Sequence, residues 1–383
     1  MKKVKITDIC DLQVGKTPLR ANSSYWGDGS MWLSIADMSQ GIFLNKTKET
    51  ITEIAISECN CKIVPSGTVL FSFKLSIGKV GITQVPMYTN EAIAAFIIKD
   101  KSILDTKFLL YALKSVDHSI GSNKAVMGKT LNKELLKKIE IILPSLNDQI
   151  LIVKTLDRAN NLLAKRKKAI ELLDEYLKSV FWEMFGSLDK NTHDWKIATL
   201  SSVTKKVTDG THQPPKFVEV GIPFIFISNI VNNEIKLKTK KFISDGTYKV
   251  LTKTTPIELG DILYTTVGSY GHPAIVKSNE KFCFQRHIAH IKPDTNKINT
   301  IFLYGMLKSP MVKHQADEKA KGIAQKTLNL SDLKNIKVFV PPVELQNKYA
   351  EITLQVEALK KKMVIQSEEL EKQFQALMQK AFR

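Results

Sequence analysis

The sequence is poor in cysteine and has no long apolar segment. Four of its 383 residues are cysteine, at positions 10, 59, 61 and 283, too few and too unevenly spaced for a disulfide framework or a four-thiolate zinc site. The longest apolar run, Ala92 to Ile98, has seven residues, whereas a membrane-spanning helix needs roughly 20. Asp8 and Asp11 interrupt any signal-peptide core. We therefore expect a cytoplasmic protein that does not enter a membrane.

Acidic residues are in deficit, and this points to a polyanionic partner. Lys and Arg number 56 against 38 Asp and Glu, a net charge of +18. Residues 1–149 carry 19 basic and 14 acidic side chains, and residues 187–346 carry 23 and 14. Contacts with nucleic-acid phosphates need such an excess, and an acidic membrane face would also attract it. A lysine-rich solvated surface gives the same counts, so charge alone does not decide between these interpretations.

Arginine is scarce, which singles out two positions. Of five arginines, only Arg20 and Arg286 lie outside the two long helical stretches described below. A guanidinium group reads guanine O6 and N7 through two donors at once. These two residues are therefore candidates for base contacts, with a surface ion pair as the alternative for each.

The chain contains an internal duplication. Residues 129–149, KTLNKELLKKIEIILPSLNDQ, match residues 326–346, KTLNLSDLKNIKVFVPPVELQ, at nine of 21 positions with a constant offset of 197. Weaker similarities precede this block in the same order, at offsets of 192 to 194: residues 32–38 with 224–230, 67–70 with 260–263, and 108–111 with 302–305. One globular unit therefore occurs twice in tandem. Short β-rich and helical runs within each copy predict mixed α and β structure.

Each copy is followed by a proline-free stretch, residues 150–186 and 347–383, which predicts a helix of about 55 Å. Apolar residues recur there at spacings of three, four or seven, as in helices that pack lengthwise on each other. We expect the two helices to pair through Ile152, Leu156, Leu163, Ile170, Leu173, Leu177 and Val180 of the first and Val356, Leu359, Met363, Leu370, Phe374 and Leu377 of the second. The alternative is that each helix packs only on its own globular unit.

Searches for catalytic motifs fail. Gly128-Lys129-Thr130 resembles the end of a P-loop, but Asn123 stands where the first glycine is required, and Gln325 replaces Gly128 in the duplicate. His287 and His290 have a ligand-like spacing but no third ligand nearby in the sequence. We predict no catalytic residue, no metal site and no cofactor site in this chain.

The order of globular unit, long helix, globular unit, long helix resembles the specificity subunit of Type I restriction-modification enzymes. The resemblance covers essentially the whole chain, and the matched KTLN and proline-containing blocks before each helix carry it. Further segments are similar to the openings of that family's target recognition domains: Gly15-Lys16-Thr17-Pro18, Tyr25-Trp26-Gly27 and Trp32-Leu33 in the first copy, and Asp209-Gly210-Thr211-His212, Pro215-Lys216-Phe217 and Gly221-Ile222-Pro223-Phe224-Ile225 in the second.

The resemblance implies an α+β fold with pseudo-twofold symmetry. Residues 1–149 and 187–346 would be target recognition domains, each reading one half of a bipartite, asymmetric double-stranded DNA site. The helices at 150–186 and 347–383 would pair antiparallel as a coiled coil, fix the spacer between half-sites and dock modification (methyltransferase) subunits, expected to number two. The chain itself would be non-catalytic. S-adenosylmethionine would belong to the modification subunit, and ATP and Mg to the restriction subunit.

Within the recognition domains, short glycine-bearing polar loops follow the corresponding strands Val69 to Phe73 and Ile262 to Thr265. Such a loop can enter a DNA groove, although its glycines can equally serve only to shape a tight turn. The candidate DNA contacts are Lys74, Ser76, Gly78 and Lys79 in the first loop, Thr266, Gly268, Ser269, Tyr270 and His272 in the second, and Gln285, Arg286 and His287 beside the second.

Two other classes of protein share part of this pattern. A recognition unit fused to its own methyltransferase would need a catalytic domain, and no region of adequate length is left for one. A non-catalytic coiled-coil scaffold without sequence-specific DNA binding remains the alternative function.

Overall fold

The computed structural model describes residues 2–116, 132–188, 191–322 and 326–382. Lys129 to Leu131 of the first KTLN block, and the Gly128 and Asn123 positions of the rejected P-loop, lie outside the described residues. The chain divides into two compact units: unit 1 comprises residues 1–167 and 365–383, and unit 2 comprises residues 168–364. No helix in the described ranges is both long and apolar enough to cross a membrane.

Unit 1 is built on a five-stranded sheet of order β2-β9-β6-β7-β4, beside a three-stranded sheet β5-β3-β8 and the antiparallel pair β1-β10. Its strands are β1 Lys2–Lys5, β2 Cys10–Val14, β3 Trp26–Leu33, β4 Phe43–Leu44, β5 Glu49–Ile51, β6 Val69–Ser72, β7 Val80–Thr83, β8 Tyr88–Thr89, β9 Ile93–Ile98 and β10 Glu140–Leu143. Its short helices are α1 Ile6–Ile9, α2 Glu53–Glu58, α3 Thr106–Ser115 and α4 Lys133–Lys137, and the long helix α5 spans Leu146–Phe185.

Unit 2 has a four-stranded sheet of order β12-β20-β17-β18, a three-stranded sheet β16-β13-β19 and the pairs β11-β21 and β14-β15. Its strands are β11 Lys196–Thr199, β12 Thr204–Asp209, β13 Ile222–Ile225, β14 Ile230–Val231, β15 Glu234–Ile235, β16 Phe242–Ile243, β17 Ile262–Thr265, β18 Pro273–Ile275, β19 Cys283–Phe284, β20 Ile288–Pro293 and β21 Lys337–Val340. The helices are α6 Asp245–Thr252, α7 Thr300–Lys308, α8 Pro310–Lys319, α9 Leu330–Lys334 and the long helix α10 Val343–Phe382.

The two units repeat one topology, which confirms the duplication and the α+β fold class. The order β2-β9-β6-β7 in unit 1 corresponds to β12-β20-β17-β18 in unit 2. The central strands β6 and β17 are buried at every residue, as their continuous apolar sequences require. Both are followed by a seven-residue connection to the next strand of the hairpin, so the predicted loops occupy equivalent places.

The long helices begin four residues before the stretches 150–186 and 347–383. Ser145 Oγ accepts a hydrogen bond from the Asp148 N–H at 3.3 Å, an N-cap that starts α5. Pro342 precedes α10, and its carbonyl oxygen accepts from Gln346 N at 3.2 Å. The proline lies just before the helix, where its missing N–H costs no hydrogen bond.

Within each unit, one half of α5 and one half of α10 run antiparallel, as expected. In unit 2, Lys360 Nζ binds the Asp174 carboxylate at 2.6 and 2.7 Å, and Phe181 packs edge-on against Tyr349 with centroids 5.3 Å apart. In unit 1, Lys167 Nζ lies 3.6 Å from Glu371 Oε2. These segments also pack on the globular part of their unit: Phe382 contacts Phe108 of α3, and Phe185 contacts Phe302 of α7. The helices therefore pack both on each other and on the globular cores.

Two predicted residues of the helix pair are placed elsewhere. Leu359 and Leu377 are 47% and 36% exposed, whereas the neighbouring Met378 is 5% exposed and the neighbouring Lys360 is half-buried. Lys360 is four residues after Val356 and is held by Asp174, so the helix pair contains a charged residue that apolar periodicity does not detect. Met378 is four residues after Phe374 and is 5% exposed.

The other predicted helix residues are buried or half-buried. Leu156, Leu163, Val356, Met363 and Phe374 are buried, and Ile152, Ile170, Leu173, Leu177, Val180 and Leu370 are half-buried. Val153, Phe181 and Phe185 are buried as well, at most 9% exposed, and are not among the predicted helix residues.

Candidate nucleic-acid interface

In unit 2, three chain segments meet at one end of the four-stranded sheet: the end of β12, the β17–β18 loop and the turn before β20. Thr211 N donates to the Phe284 carbonyl oxygen at 3.2 Å, and Arg286 N donates to the Thr211 carbonyl oxygen at 3.1 Å. Thr266 N donates to the His287 carbonyl oxygen at 3.0 Å. The structure thus brings the predicted residues 266–272 and 285–287 together, and adds Thr211.

Unit 1 has the same arrangement. Lys16 N donates to the Thr89 carbonyl oxygen at 2.9 Å, and Phe73 N donates to the Ala92 carbonyl oxygen at 3.0 Å. A Cβ at Gly15 would lie 2.1 Å from the Thr89 carbonyl oxygen, and one at Gly210 would lie 2.2 Å from that of Phe284. Only glycine permits this close approach, so the two glycines fix equivalent crossings at the base of each candidate interface.

The two strand-connecting loops share one backbone design. We call residues 73–79 the first tip loop and residues 266–272 the second tip loop. Gly78 N donates to the Ser72 carbonyl oxygen at 2.9 Å, and Gly271 N donates to that of Thr265 at 3.0 Å. The hydroxyls of Ser72 and Thr265 then each accept a hydrogen bond of 3.0 Å from the last N–H of their loop.

The backbone angles of the two tip loops also agree. The third residue has a positive φ in both, 61° at Leu75 and 66° at Gly268. The sixth residue has φ of 91° at Gly78 and 92° at Gly271. A left-handed conformation costs an L-residue about 1 kcal/mol relative to glycine, so Leu75 carries a strain that its counterpart avoids.

Two predicted contacts of the second tip loop are buried framework residues. Thr266 and Tyr270 are each 7% exposed. Tyr270 Oη donates to Asp317 Oδ1 at 2.6 Å, which raises the pKa of the phenol to about 12, and Lys313 Nζ lies 3.8 Å from its ring centroid. The ring anchors the loop on α8, as the half-buried Ile77 anchors the first tip loop on the unit 1 core. Thr266 and Tyr270 thus support the loop from its buried side, and direct base contact by these two side chains stays a prediction.

The remaining loop side chains reach the surface. Ser269, His272 and Ser76 are exposed, and Lys74 and Lys79 are half-buried. Lys79 Nζ donates to Ser39 Oγ at 2.7 Å and to the Ile35 carbonyl oxygen at 3.1 Å. Lys74 Nζ lies 5.5 Å from the Phe73 ring centroid. Both lysines are thus half-buried, and Lys79 Nζ is held by two oxygen atoms of the chain.

The turn before β20 presents an exposed arginine beside a neutral histidine. Burial, and then the charge of Arg286, lower the pKa of His287, so its imidazole is uncharged at neutral pH. Arg286 Nε lies 3.3 Å from His287 Nε2 and donates to it. Within the described ranges, neither terminal nitrogen of Arg286 has a hydrogen-bond partner, which leaves the fork that recognises guanine. Gln285 is half-buried and forms an isolated bridge with Thr211.

Arg20 has a different environment. Its two terminal nitrogens bind both carboxylate oxygens of Glu49, and its guanidinium carbon lies 3.9 Å from the centroid of Trp26. The hydrogen bond to Glu49 raises the pKa of this guanidinium. The ion-pair alternative therefore describes Arg20 in this structure, and a base contact would require Glu49 to release it.

The two histidines considered as metal ligands have different surroundings. His290 is 1% exposed and bonds Asp261 at 2.7 Å, whereas His287 lies at the surface turn. In the part of the chain that the structure describes, no group of three or more His, Cys, Asp or Glu residues could hold a metal ion.

Leu75 is not among the loop contacts predicted from the sequence, none of which is aliphatic. It is 87% exposed. The signal was present: aligning the second residue of β6 with that of β17 places LFSFKLSIGK over LYTTVGSYGH, which sets Leu75 opposite a glycine.

Comparison with known proteins decides the family. The profile of the family described as Type I restriction modification DNA specificity domain matches residues 1–172 and again residues 192–371. The chain belongs to this family. It carries the specificity domain twice, its role lies in DNA sequence specificity, and it is not the catalytic component.

Relatives of this specificity chain match along most of its length. The Type I restriction enzyme MjaIX specificity subunit of Methanocaldococcus jannaschii is 25% identical over 369 residues, covering 90% of this chain and 84% of the relative. The Type I restriction-modification S subunit from M. genitalium has 18% identity and a TM-score of 0.55, covering 100% of this chain and 96% of that one. A chain from a structure on complex assembly and conformational transition of the Type I system has 16% identity and a TM-score of 0.65, covering 99% and 97%. These two structures share the fold.

Proposed function

We propose that the chain reads a bipartite, asymmetric double-stranded DNA target in the cytoplasm as the specificity subunit of a Type I complex. Residues 1–149 and 187–346 each recognise one half-site. The observation that supports this most directly is the pair of tip loops, which have one backbone geometry but differ in sequence at five of their seven positions. A duplicated reader with altered side chains at fixed positions recognises two different sequences from equivalent approaches.

The proposed contacts divide by chemistry. Lys74 and Lys79 contact phosphates and position unit 1 on the duplex, since such contacts fix register without reading sequence. In unit 2, His272 stands where unit 1 has Lys79, and Arg286 reads guanine through its terminal nitrogens. Ser76, Gly78, Gly268, Ser269, Gln285 and His287 complete the proposed surface, and Arg20 joins it once Glu49 is displaced. Thr266 and Tyr270 support the second tip loop from within.

The helix pair sets the spacing between half-sites and docks the partner subunits. Each long helix is continuous over 40 residues and contributes to both units, as a spacer between two readers must. We propose two modification subunits on this chain and restriction subunits in the larger assembly. S-adenosylmethionine then acts in the modification subunit, and ATP with Mg in the restriction subunit, with no cofactor held by this chain.

Methylome sequencing tests the proposal. Cells expressing the modification subunit with this chain are compared with cells expressing the modification subunit alone. We expect a split, asymmetric methylated motif that requires this chain. No motif, despite verified expression and an active modification subunit, would overturn the proposal in favour of the coiled-coil scaffold.

A loop graft assigns the half-sites. Residues 74–76 are replaced by the sequence of residues 267–269, so that Phe73 and Ile77, which pack on the core of unit 1, and Gly78 stay in place. We expect one half of the motif to change and the other half and the spacer to stay constant. The matched control is the reciprocal graft, which should alter only the other half. Loss of both halves in either graft would contradict independent reading by the two units.

A further inference from the structure

An exposed leucine in a strained conformation marks the first tip loop. Leu75 is 87% exposed with a φ of 61°. An isolated exposed leucine is common on protein surfaces, and so is glycine with a positive φ. The combination is unusual, because a leucine at this position gains no burial within the chain and pays a conformational cost.

The duplicate shows that the loop does not need leucine. Gly268 occupies the same position with a φ of 66°, between the same pair of loop-closing hydrogen bonds. Glycine therefore satisfies this backbone geometry without strain. The residues on either side of Leu75 in the loop have a different environment: Phe73 and Ile77 pack on the core of unit 1, whereas Leu75 is exposed.

We infer that Leu75 reads a thymine in the first half-site through its 5-methyl group. This inference rests on the proposed function and names the chemistry of one contact within it. The thymine methyl is the apolar feature of the major-groove edge, and an apolar side chain that packs on it distinguishes thymine from cytosine. Contact with the methyl gives Leu75 the burial that it lacks in the free chain.

The surroundings of Leu75 favour the major groove. The first tip loop joins β6 to β7, two neighbouring strands of the five-stranded sheet, so a seven-residue turn is the part that would enter a groove, and the major groove is wide enough to admit an element as broad as an α-helix. Lys74 and Lys79 lie on either side of Leu75 in the same loop, where they can contact the phosphates that border a groove. A leucine wedged between base steps from the minor groove is the competing geometry, and it bends the duplex.

Uracil substitution tests the contact directly. The full chain assembled with its modification subunit is bound to duplexes carrying the methylome-defined target, with each thymine of the first half-site replaced in turn by uracil, which lacks only the methyl. We expect one position where uracil weakens binding by about fourfold, the change for removing one buried methyl-sized group. Leu75→Ala should bind the thymine and uracil duplexes at that position equally.

Two further variants control for folding and for nonspecific effects. Leu75→Gly removes the side chain and relieves the strained φ, so it should keep or raise the unfolding midpoint while losing the thymine preference. Ile103→Ala is the matched control. Ile103 is an aliphatic residue of unit 1 that is 44% exposed, and it follows the C-terminal end of β9, whereas the first tip loop contacts the residue before the N-terminal end of β9. It should retain the fourfold preference.

The inference fails if the Leu75 variants keep the wild-type preference at every thymine, or if the first half-site contains no thymine. It also fails if the loss of affinity on Leu75→Ala is the same for every duplex and accompanies loss of DNA bending, since that outcome identifies a wedge. In each case sequence-specific binding persists. Failure of the proposed function is distinct, because the wild-type complex would then bind target and scrambled duplexes equally.

Discussion

Gln149 Oε1 accepts a hydrogen bond from the Asp105 N–H at 2.8 Å, joining the first turn of α5 to the residue that caps α3. Its Nε2 donates to the Ile103 and Pro144 carbonyl oxygens at 2.8 and 3.0 Å. In unit 2, Gln346 makes the equivalent bonds to Asn299 N and the Pro341 carbonyl oxygen, each at 2.7 Å. Both glutamines are at most 2% exposed. The same glutamine in both repeats therefore joins each long helix to the globular part of its unit, and we call this contact the glutamine clamp.

Replacing either glutamine should destabilise its unit. Gln149→Ala or Gln346→Ala leaves buried backbone groups without partners, at a cost of about 1–3 kcal/mol. Urea unfolding measures the change. Gln373→Ala is the control, because Gln373 is exposed and, among the described residues, its side chain bonds only Glu369, at 3.4 Å, and it should stay within about 0.5 kcal/mol of wild type. Equal stability of Gln149→Ala and Gln373→Ala would contradict the clamp.

The repeated architecture was predictable because it depends on patterns close together in sequence. The apolar runs of β6 and β17, the proline-free stretches and the 197-residue repeat identify strands, helices and duplication directly. The failures involve partners distant in sequence. The position of Tyr270 among loop glycines predicts a surface residue, but Asp317 of α8 binds its hydroxyl. Leu359 matches the apolar spacing of the helix pair, but it is exposed, and the adjacent Lys360 is the residue that binds Asp174 of α5.

The exposure of the α10 side chains predicts losses of different size for two of its residues that lie three positions apart. Phe374 is 2% exposed in the unit 1 core, whereas Leu377 is 36% exposed. Phe374→Ala should lower the free energy of unfolding by about 3 kcal/mol, and Leu377→Ala by less than about 1 kcal/mol. Denaturant unfolding of the two variants checks this. Equal losses would show that Leu377 is as buried as Phe374, as the sequence predicts.

Tyr270 and His272 should separate support from reading in the second tip loop. Tyr270→Phe removes the hydrogen bond to Asp317 and should cost about 1 kcal/mol of stability without changing the methylated motif. His272→Ala should leave stability within about 0.5 kcal/mol and weaken binding of the second half-site. Methylome sequencing and thermal unfolding of both variants give the two readouts. A changed motif in Tyr270→Phe would show that the phenol touches DNA.

Asp261 should make unit 2 sensitive to acid. Burial raises the pKa of this carboxyl, but hydrogen bonds from His290 and Lys292 outweigh it and hold the pKa below its ordinary 3.8. The resulting stabilisation is therefore present above about pH 4 and is lost as the pH falls through the lower folded-state pKa.

Asp261→Asn tests this origin of the acid sensitivity. The variant should lose about 1–3 kcal/mol at pH 7, because Lys292 and the buried His290 exchange a carboxylate acceptor for a neutral amide, and Lys292 keeps, among the described residues, only the carboxylate of Glu258 as an ionic partner. It should then lose less than wild type on acidification from pH 5 to pH 3. Unfolding midpoints across this range measure both effects. Parallel pH profiles for the two proteins would place the acid-sensitive group elsewhere.

The division of the long helices between units affects how the chain is made. Unit 1 needs residues 365–383, yet the ribosome must first synthesise residues 168–364, which takes on the order of 10–40 s at about 5–20 residues per second. Until then the nascent unit 1 lacks Phe374 and Met378. Leu156 and Leu163 therefore cannot yet form all of the contacts that bury them in the finished protein. The unit whose synthesis starts first is thus the last to be completed.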